Sequence, residues 1–153
     1  MTVTSSKIFG FLSISMCMLF LTTCKPKYVI CVAGPKMLCA TNTDPFPTMT
    51  NAPRDTDIVI TLNKPIVGGS VNDESFIVMC SGKPISGHRW IDANQIGFLP
   101  GKTLEPNSKY TILLKGSSFS NANVVRAYDG QWMMKDYSAT FETGENFLYK
   151  KNK

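Results

Sequence analysis

The chain has 153 residues and a mass of 16.9 kDa, the size of one domain, which excludes a multidomain enzyme. Hydrophobic residues make up 43% and charged residues 18%, which excludes a disordered chain, a polar low-complexity segment and a collagen-like repeat. The formal net charge is a modest +5, and nine Pro and eleven Gly among many Thr, Val and Ile favour β-structure over a helix bundle.

The first predicted element is an export segment. Lys7 and the amino terminus make a short positive region, and Ile8 to Leu21 then runs fourteen residues without a charge. A membrane-spanning helix needs about 20 apolar residues, so this run suits the apolar core of a signal peptide better. It ends in Leu21-Thr22-Thr23-Cys24, followed by Lys25-Pro26-Lys27. A Leu three places before a Cys, with small residues between, resembles the lipobox of bacterial lipoproteins. Thr23 stands where that family prefers Gly or Ala. The resemblance implies cleavage before Cys24, acylation of its thiol and attachment to the lipid bilayer. Each buried methylene of an acyl chain contributes about 0.8 kcal/mol to that attachment. Lys25 rather than Asp at the second mature position implies, on the same resemblance, sorting to the outer membrane of a Gram-negative envelope. Residues 1–23 therefore read as signal peptide and 24–52 as a lipidated arm and linker.

Within the arm, Tyr28 to Ala33 is apolar and β-branched, Gly34-Pro35-Lys36 is turn chemistry, and Met37 to Ala40 is apolar again. This pattern reads as a small hairpin or an ordered arm. Cys17 leaves with the signal and Cys24 is acylated, which leaves Cys31, Cys39 and Cys80 in an oxidising compartment. A three-residue loop at Gly34 to Lys36 sets Cys31 opposite Cys39. At a non-hydrogen-bonded pair the Cα separation is about 4.5 Å, within the reach of a disulfide. A two-residue loop would set Cys31 against Leu38 instead. The local Cys31–Cys39 bridge is preferred, with Cys80 left as a buried strand residue, and Cys39–Cys80 is the competing pairing. Thr41 to Pro53 is polar and holds three Pro, so it reads as an extended linker.

From Arg54 the hydrophobic period becomes two. Ile58, Ile60 and Leu62 share a face, Lys64-Pro65 and Gly68-Gly69 end the strand, and Phe76 to Cys80 follows as a second. His88 to Ile91 and Gln95 to Leu99 read as a hairpin turning at Asp92-Ala93-Asn94. Lys109 to Lys115 alternates Tyr110, Ile112 and Leu114, Asn123 to Tyr128 is a weak strand, and Tyr137 to Thr143 closes the series. About seven short strands with regular turn signals predict an all-β antiparallel sandwich over residues 53–145, followed by a basic tail at 146–153.

The run Leu104-Glu105-Pro106-Asn107-Ser108-Lys109-Tyr110 resembles the tyrosine corner of immunoglobulin-like and fibronectin-like sandwiches. Leu104, Pro106 and Tyr110 are its candidate structural residues. Around it, Pro53 to Asp57, the Ile58 to Ile66 strand, Ile96 to Pro100 and the closing Thr140 to Gly144 follow in order. The set resembles the bacterial Ig-like domain first seen in surface-layer proteins of the SbsA kind. The resemblance covers about Pro53 to Gly144 and implies a β-sandwich serving as a structural or adhesive module. Trp132-Met133-Met134 and Cys80 depart from the family pattern.

No constellation in the sequence calls for catalysis or a cofactor. The single histidine, His88, reads as a surface residue on a strand, and the Met residues read as core or groove filling. Ser86, His88 and Asp92 fall in one hairpin, too close together for a supported triad. Gly97 to Thr103 lacks the spacing and the helix of a phosphate loop. Asp55, Asp57, Asp73 and Asp129 read as turn residues and not as metal ligands. The Lys150, Lys151 and Lys153 cluster is too short to be a nucleic-acid stripe. The reading is a non-catalytic envelope lipoprotein, anchored to the bilayer through Cys24. It presents loops or an edge strand to an envelope protein or glycan, and binds neither nucleic acid, metal nor cofactor. The alternative is a periplasmic copper carrier of similar fold, although such carriers place a His at the mature amino terminus, where this chain has Cys24.

Overall fold

The computed structural model describes residues 37–120 and 122–147. The export segment, the acylation site Cys24, the Cys31 half of the preferred disulfide and the lysine cluster lie outside the described residues. Eight strands follow in order: β1 (Ala40–Asp44), β2 (Ile58–Leu62), β3 (Phe76–Cys80), β4 (Lys83–Pro84), β5 (Gly87–Asp92), β6 (Gln95–Pro100), β7 (Lys109–Leu114) and β8 (Tyr137–Glu142). Helical geometry among the described residues is confined to a single 3-10 turn at Gly68–Ser70.

The strands form two antiparallel sheets that pack face to face. The first runs β1-β2-β6-β5 and the second β4-β3-β7-β8. Alternation decides which side chains meet. Ile58, Ile60 and Leu62 of β2 and Ile96 and Phe98 of β6 are fully buried against Phe76 and Val78 of β3 and Ile112 and Leu114 of β7. Each such side chain removed from water contributes about 1.5–3 kcal/mol, so this double layer is the main source of stability.

Tyr110 locks one end of the sandwich. Its ring is buried and stacked on Phe141 with centroids 5.4 Å apart, and its hydroxyl accepts the Glu105 N–H at 2.8 Å. Leu104 is buried beneath the same connection, and its N–H and C=O both bond Arg54, through the backbone C=O and the guanidinium Nε. Pro106 is exposed at the turn, and Asn107 takes a positive φ of 49° that Asn tolerates. The Thr143 hydroxyl donates to the Glu105 carbonyl at 2.6 Å and accepts the Ser108 N–H at 3.0 Å, which ties the loop to the end of β8.

Several sequence expectations need correction. The polar stretch after Ala40 is not wholly a linker, because Ala40–Asp44 pairs with β2 as an edge strand. Its outward Thr41, Asn42 and Asp44 face water, and the one inward polar residue, Thr43, is satisfied by the Tyr137 hydroxyl. An edge strand with one wet face therefore needs little apolar sequence, and the domain starts well before residue 53. Residues 48–52 then run along β8: the Thr48 N–H bonds the Thr140 carbonyl, and the Ala52 N–H bonds that of Glu142. Asn123 to Tyr128 makes no strand. It contributes single bridges, Ala127 with Ile66 and Arg126 with Trp132, while Val124, Val125 and Ala127 plug the core. Lys83–Pro84 is a two-residue strand, returned along β3 by a Ser81-Gly82 turn with φ of 50° and 77°. Cys80 is half-buried rather than buried and carries a free thiol, so the competing Cys39–Cys80 bridge is not formed.

Burial raises the Tyr110 phenol above its ordinary value of about 10, and the Glu105 N–H pulls the other way. The folded state thus holds this proton more tightly than the unfolded chain. The Tyr110 contribution to stability is unchanged below about pH 10 and declines above it. We expect Tyr110→Phe to cost about 1 kcal/mol in urea unfolding at pH 7 and to flatten the fall in stability above pH 10. Tyr110→Ala should cost about 3–5 kcal/mol.

Candidate functional site

The four outer strands are not equally available to a partner. Along β8 runs the 48–52 segment, β4 has two residues, and β1 is bulged between Ala40 and Asn42. Bulges and short strands are the usual ways of blunting an edge. By contrast β5 is a regular six-residue strand with β6 on one side.

The register shows which β5 groups face outward. The Leu62 N–H bonds the Asn94 carbonyl, so even-numbered residues of β6 bond β2 and odd-numbered ones bond β5. The pairs His88 with Leu99, Trp90 with Gly97 and Asp92 with Gln95 consume the backbone groups of those β5 residues. The backbone groups of Gly87, Arg89 and Ile91 therefore point away from the sheet. A cleft of about 660 Å³ opens beside this edge, lined by Val71, Asn72, Asp73, Glu74, Gly87, His88 and Arg89.

Arg89 closes the gap between the sheets at this edge. Its side chain turns inward, with the guanidinium 5.1 Å over the Phe98 ring and 6.0 Å from that of Phe76. The Nε donates to the Phe76 carbonyl at 2.8 Å, and Nη1 pairs with Asp73. The Arg89 side chain is 14% exposed and that of Asp73 90%, so the bond to the carbonyl and the ring contacts outweigh the ion pair. An inward charge on an edge strand also discourages indiscriminate pairing. Gly87 has to be small, because a Cβ there would lie 2.4 Å from the Phe98 ring. On the outer face Trp90 lies across Gly97, where a Cβ would meet the indole at 1.9 Å. Arg89 was not singled out from the sequence. Its place between Gly87 and Ile91 at an inward position of a period-two strand is the signal that could have found it.

The other candidate residues are dispersed. His88 is exposed and shares the outer face of β5 with Asp92, four residues and about 13 Å along the strand. Neither joins Ser86 in a nucleophile and base pair. Asp129 pairs with Lys64 at 2.6 Å, and that hydrogen bond holds its carboxyl below the usual range. Met133 is buried in the core while Met134 faces outward. Buried Cys39 exchanges backbone bonds with Asn63, through its N–H to the side-chain oxygen and its C=O to the backbone N–H. No three His, Cys, Asp or Glu side chains converge as metal ligands among the described residues.

Comparison with known proteins places this geometry. The profile of the bacterial Ig-like domain matches residues 37–143. The chain belongs to that family. The match opens at Met37, before β1, in agreement with the edge-strand role of Ala40–Asp44. No curated protein matches the chain. Among solved structures, the Ig-like domain is similar to the N-terminal part of the bacterial S-layer protein SbsC. The TM-score is 0.51 and the identity 12%, over 71% of this chain and 24% of that one. SbsC domains 1–6 match with a TM-score of 0.51 and 12% identity, over 71% of this chain and 14% of that one. At that identity the likeness is one of fold, and this chain spans a quarter or less of either S-layer structure. An LD transpeptidase in complex with imipenem matches at a TM-score of 0.46 and 15% identity, over 69% of this chain and 39% of that one.

The two halves of the Arg89 anchor should separate in urea unfolding. Asp73→Asn should cost less than about 0.5 kcal/mol, as exposed pairs do. Arg89→Ala should cost about 1–3 kcal/mol, because it leaves the Phe76 carbonyl without its donor and uncovers two rings.

Proposed function

We propose that this bacterial Ig-like domain is the globular part of a non-catalytic lipoprotein of the bacterial cell envelope. It is held to the outer membrane through acylated Cys24 and binds an extended segment of another envelope protein along β5. The free backbone groups of Gly87, Arg89 and Ile91 beside the 660 Å³ cleft carry the binding part of this reading. Main-chain pairing supplies affinity in such strand addition, and adjacent pockets read alternate side chains. The lipobox-like Leu21 to Cys24 run supports the anchor. The spread of Ser86, His88 and Asp92 supports a module without catalysis.

A glycan partner is the second reading, supported by the flat Trp90 indole across Gly97 on the outer face of the same strand. A photo-crosslinking residue at His88 in intact cells should give discrete protein adducts, whereas one at Glu142 on β8 should give none. Equal labelling from both sites would remove the edge from consideration, and loss of glycan retention in Trp90→Ala would favour the second reading. Metabolic labelling with a palmitate analogue should mark the wild type and not Cys24→Ala; equal labelling of both would exclude the anchor.

A further inference from the structure

One end of the sandwich exposes apolar side chains that the β5 edge does not use. The Trp132 indole donates to the Ser117 carbonyl at 2.9 Å, and the Ser118 hydroxyl donates to that of Met134 at 3.2 Å. These bonds set the 117–119 loop beside Trp132 and Met134. At its tip Phe119 is fully exposed, and Met134 and Met37 are 37% and 41% exposed. Met37, Trp132 and Met134 line a shared hollow of about 390 Å³ with Asp129, Gly130 and Gln131. Lys115 and Lys135 are exposed nearby, the latter next in sequence to Met134 and packed by its backbone on Gly116.

The occupant of this patch follows from how few residues separate it from Cys24. Met37 lies in the patch itself, thirteen residues after Cys24, and an extended chain of that length reaches at most about 45 Å. That short tether carries Lys25, Lys27 and Lys36 and no acidic residue. A lipid anchor at Cys24 thus keeps this end within a short reach of the headgroups, with cations along the way. Exposed aromatic and Met side chains beside lysines match the interface between acyl chains and anionic headgroups.

We propose that the patch of Met37, Phe119, Trp132 and Met134 is a bilayer-contacting surface that inserts at the headgroup level and seats the domain on the membrane. The proposal rests on the anchor reading. The fold supplies its own reporters, because the chain has two tryptophans, Trp132 in the patch and Trp90 on β5. The lipidated full-length protein is reconstituted into vesicles of phosphatidylethanolamine and phosphatidylglycerol, with and without brominated acyl chains. With Trp90→Phe, the remaining Trp132 emission should shift to the blue and be quenched by brominated lipid. With Trp132→Phe, the remaining Trp90 emission should do neither.

Phe119→Asp changes a side chain with no packing to lose. It should leave co-flotation with vesicles intact and remove most of the Trp132 quenching. Co-flotation with neither tryptophan quenched would overturn the patch and leave the anchor standing. Failure to float would sink the anchor and the patch with it. Trp132 shielded from aqueous iodide without lipid and indifferent to brominated lipid would show the patch covered by the chain's own Tyr28 to Val32 arm or by another protein, and would overturn the proposal.

Discussion

The Tyr110 side chain joins two requirements that a sandwich of this size has to meet together. Its ring, stacked on Phe141, is part of the apolar layer that holds the sheets, and its hydroxyl fixes the loop that carries the chain from β6 to β7. That loop crosses from the first sheet to the second, so its shape sets the register of β7, and through β7 that of β3 and β8. A crossing loop satisfied by water alone could slide, and a one-residue slip would turn Ile112 and Leu114 to solvent. The Arg54 and Thr143 bonds to the same connection act in the same direction.

At the other side of the fold the constraint is the edge. Closing a sandwich leaves outer strands whose backbone groups can pair with any chain. Here β8 is covered, β4 is short and β1 is bulged. The β5 edge is treated differently: Arg89 is drawn inward under Phe98 and fills the opening between sheets, while the strand itself stays regular. Arg89 seals the core without covering the backbone of its own strand. A cation held by ring faces and a carbonyl does this better than an aliphatic side chain, because its head satisfies the Phe76 carbonyl and still pairs with the exposed Asp73 carboxylate.

Much of the fold was legible in the sequence because a period of two reports directly on a half-buried strand. The alternations at Ile58 to Leu62, Tyr110 to Leu114 and Tyr137 to Phe141 each name their inward residues. β1 was not legible: its Thr, Asn and Asp residues satisfy an edge strand, and its one inward residue, Thr43, depends on Tyr137, 94 positions away. The opposite error came at Asn123 to Tyr128, where apolar residues signalled a strand but serve as a plug with single bridges. Arg89 was hidden for a related reason, since its value comes from the Phe76 and Phe98 faces on two other strands.

The two proposed contacts lie at different levels of the first sheet. Gly87 pairs with Pro100, two residues beyond the Phe98 pairing with Ile58, which places the cleft past the start of β2. Met37 is held at the other end of β2, where its carbonyl accepts the Asn63 side-chain amide at 2.7 Å. Counting along the strand, the Gly87 level lies about seven residues, or about 23 Å, from the Met37 end, and the Ile91 level about three residues, or about 10 Å, from it. A domain seated on a bilayer by the Met37 end would therefore hold the Gly87 to Arg89 cleft clear of the headgroups, open to a partner in the aqueous space. Were both contacts at one end, membrane and partner would compete for the same surface. On the two proposals together, that separation would let a single small sandwich be tethered and oriented while the Gly87 end of β5 stays available.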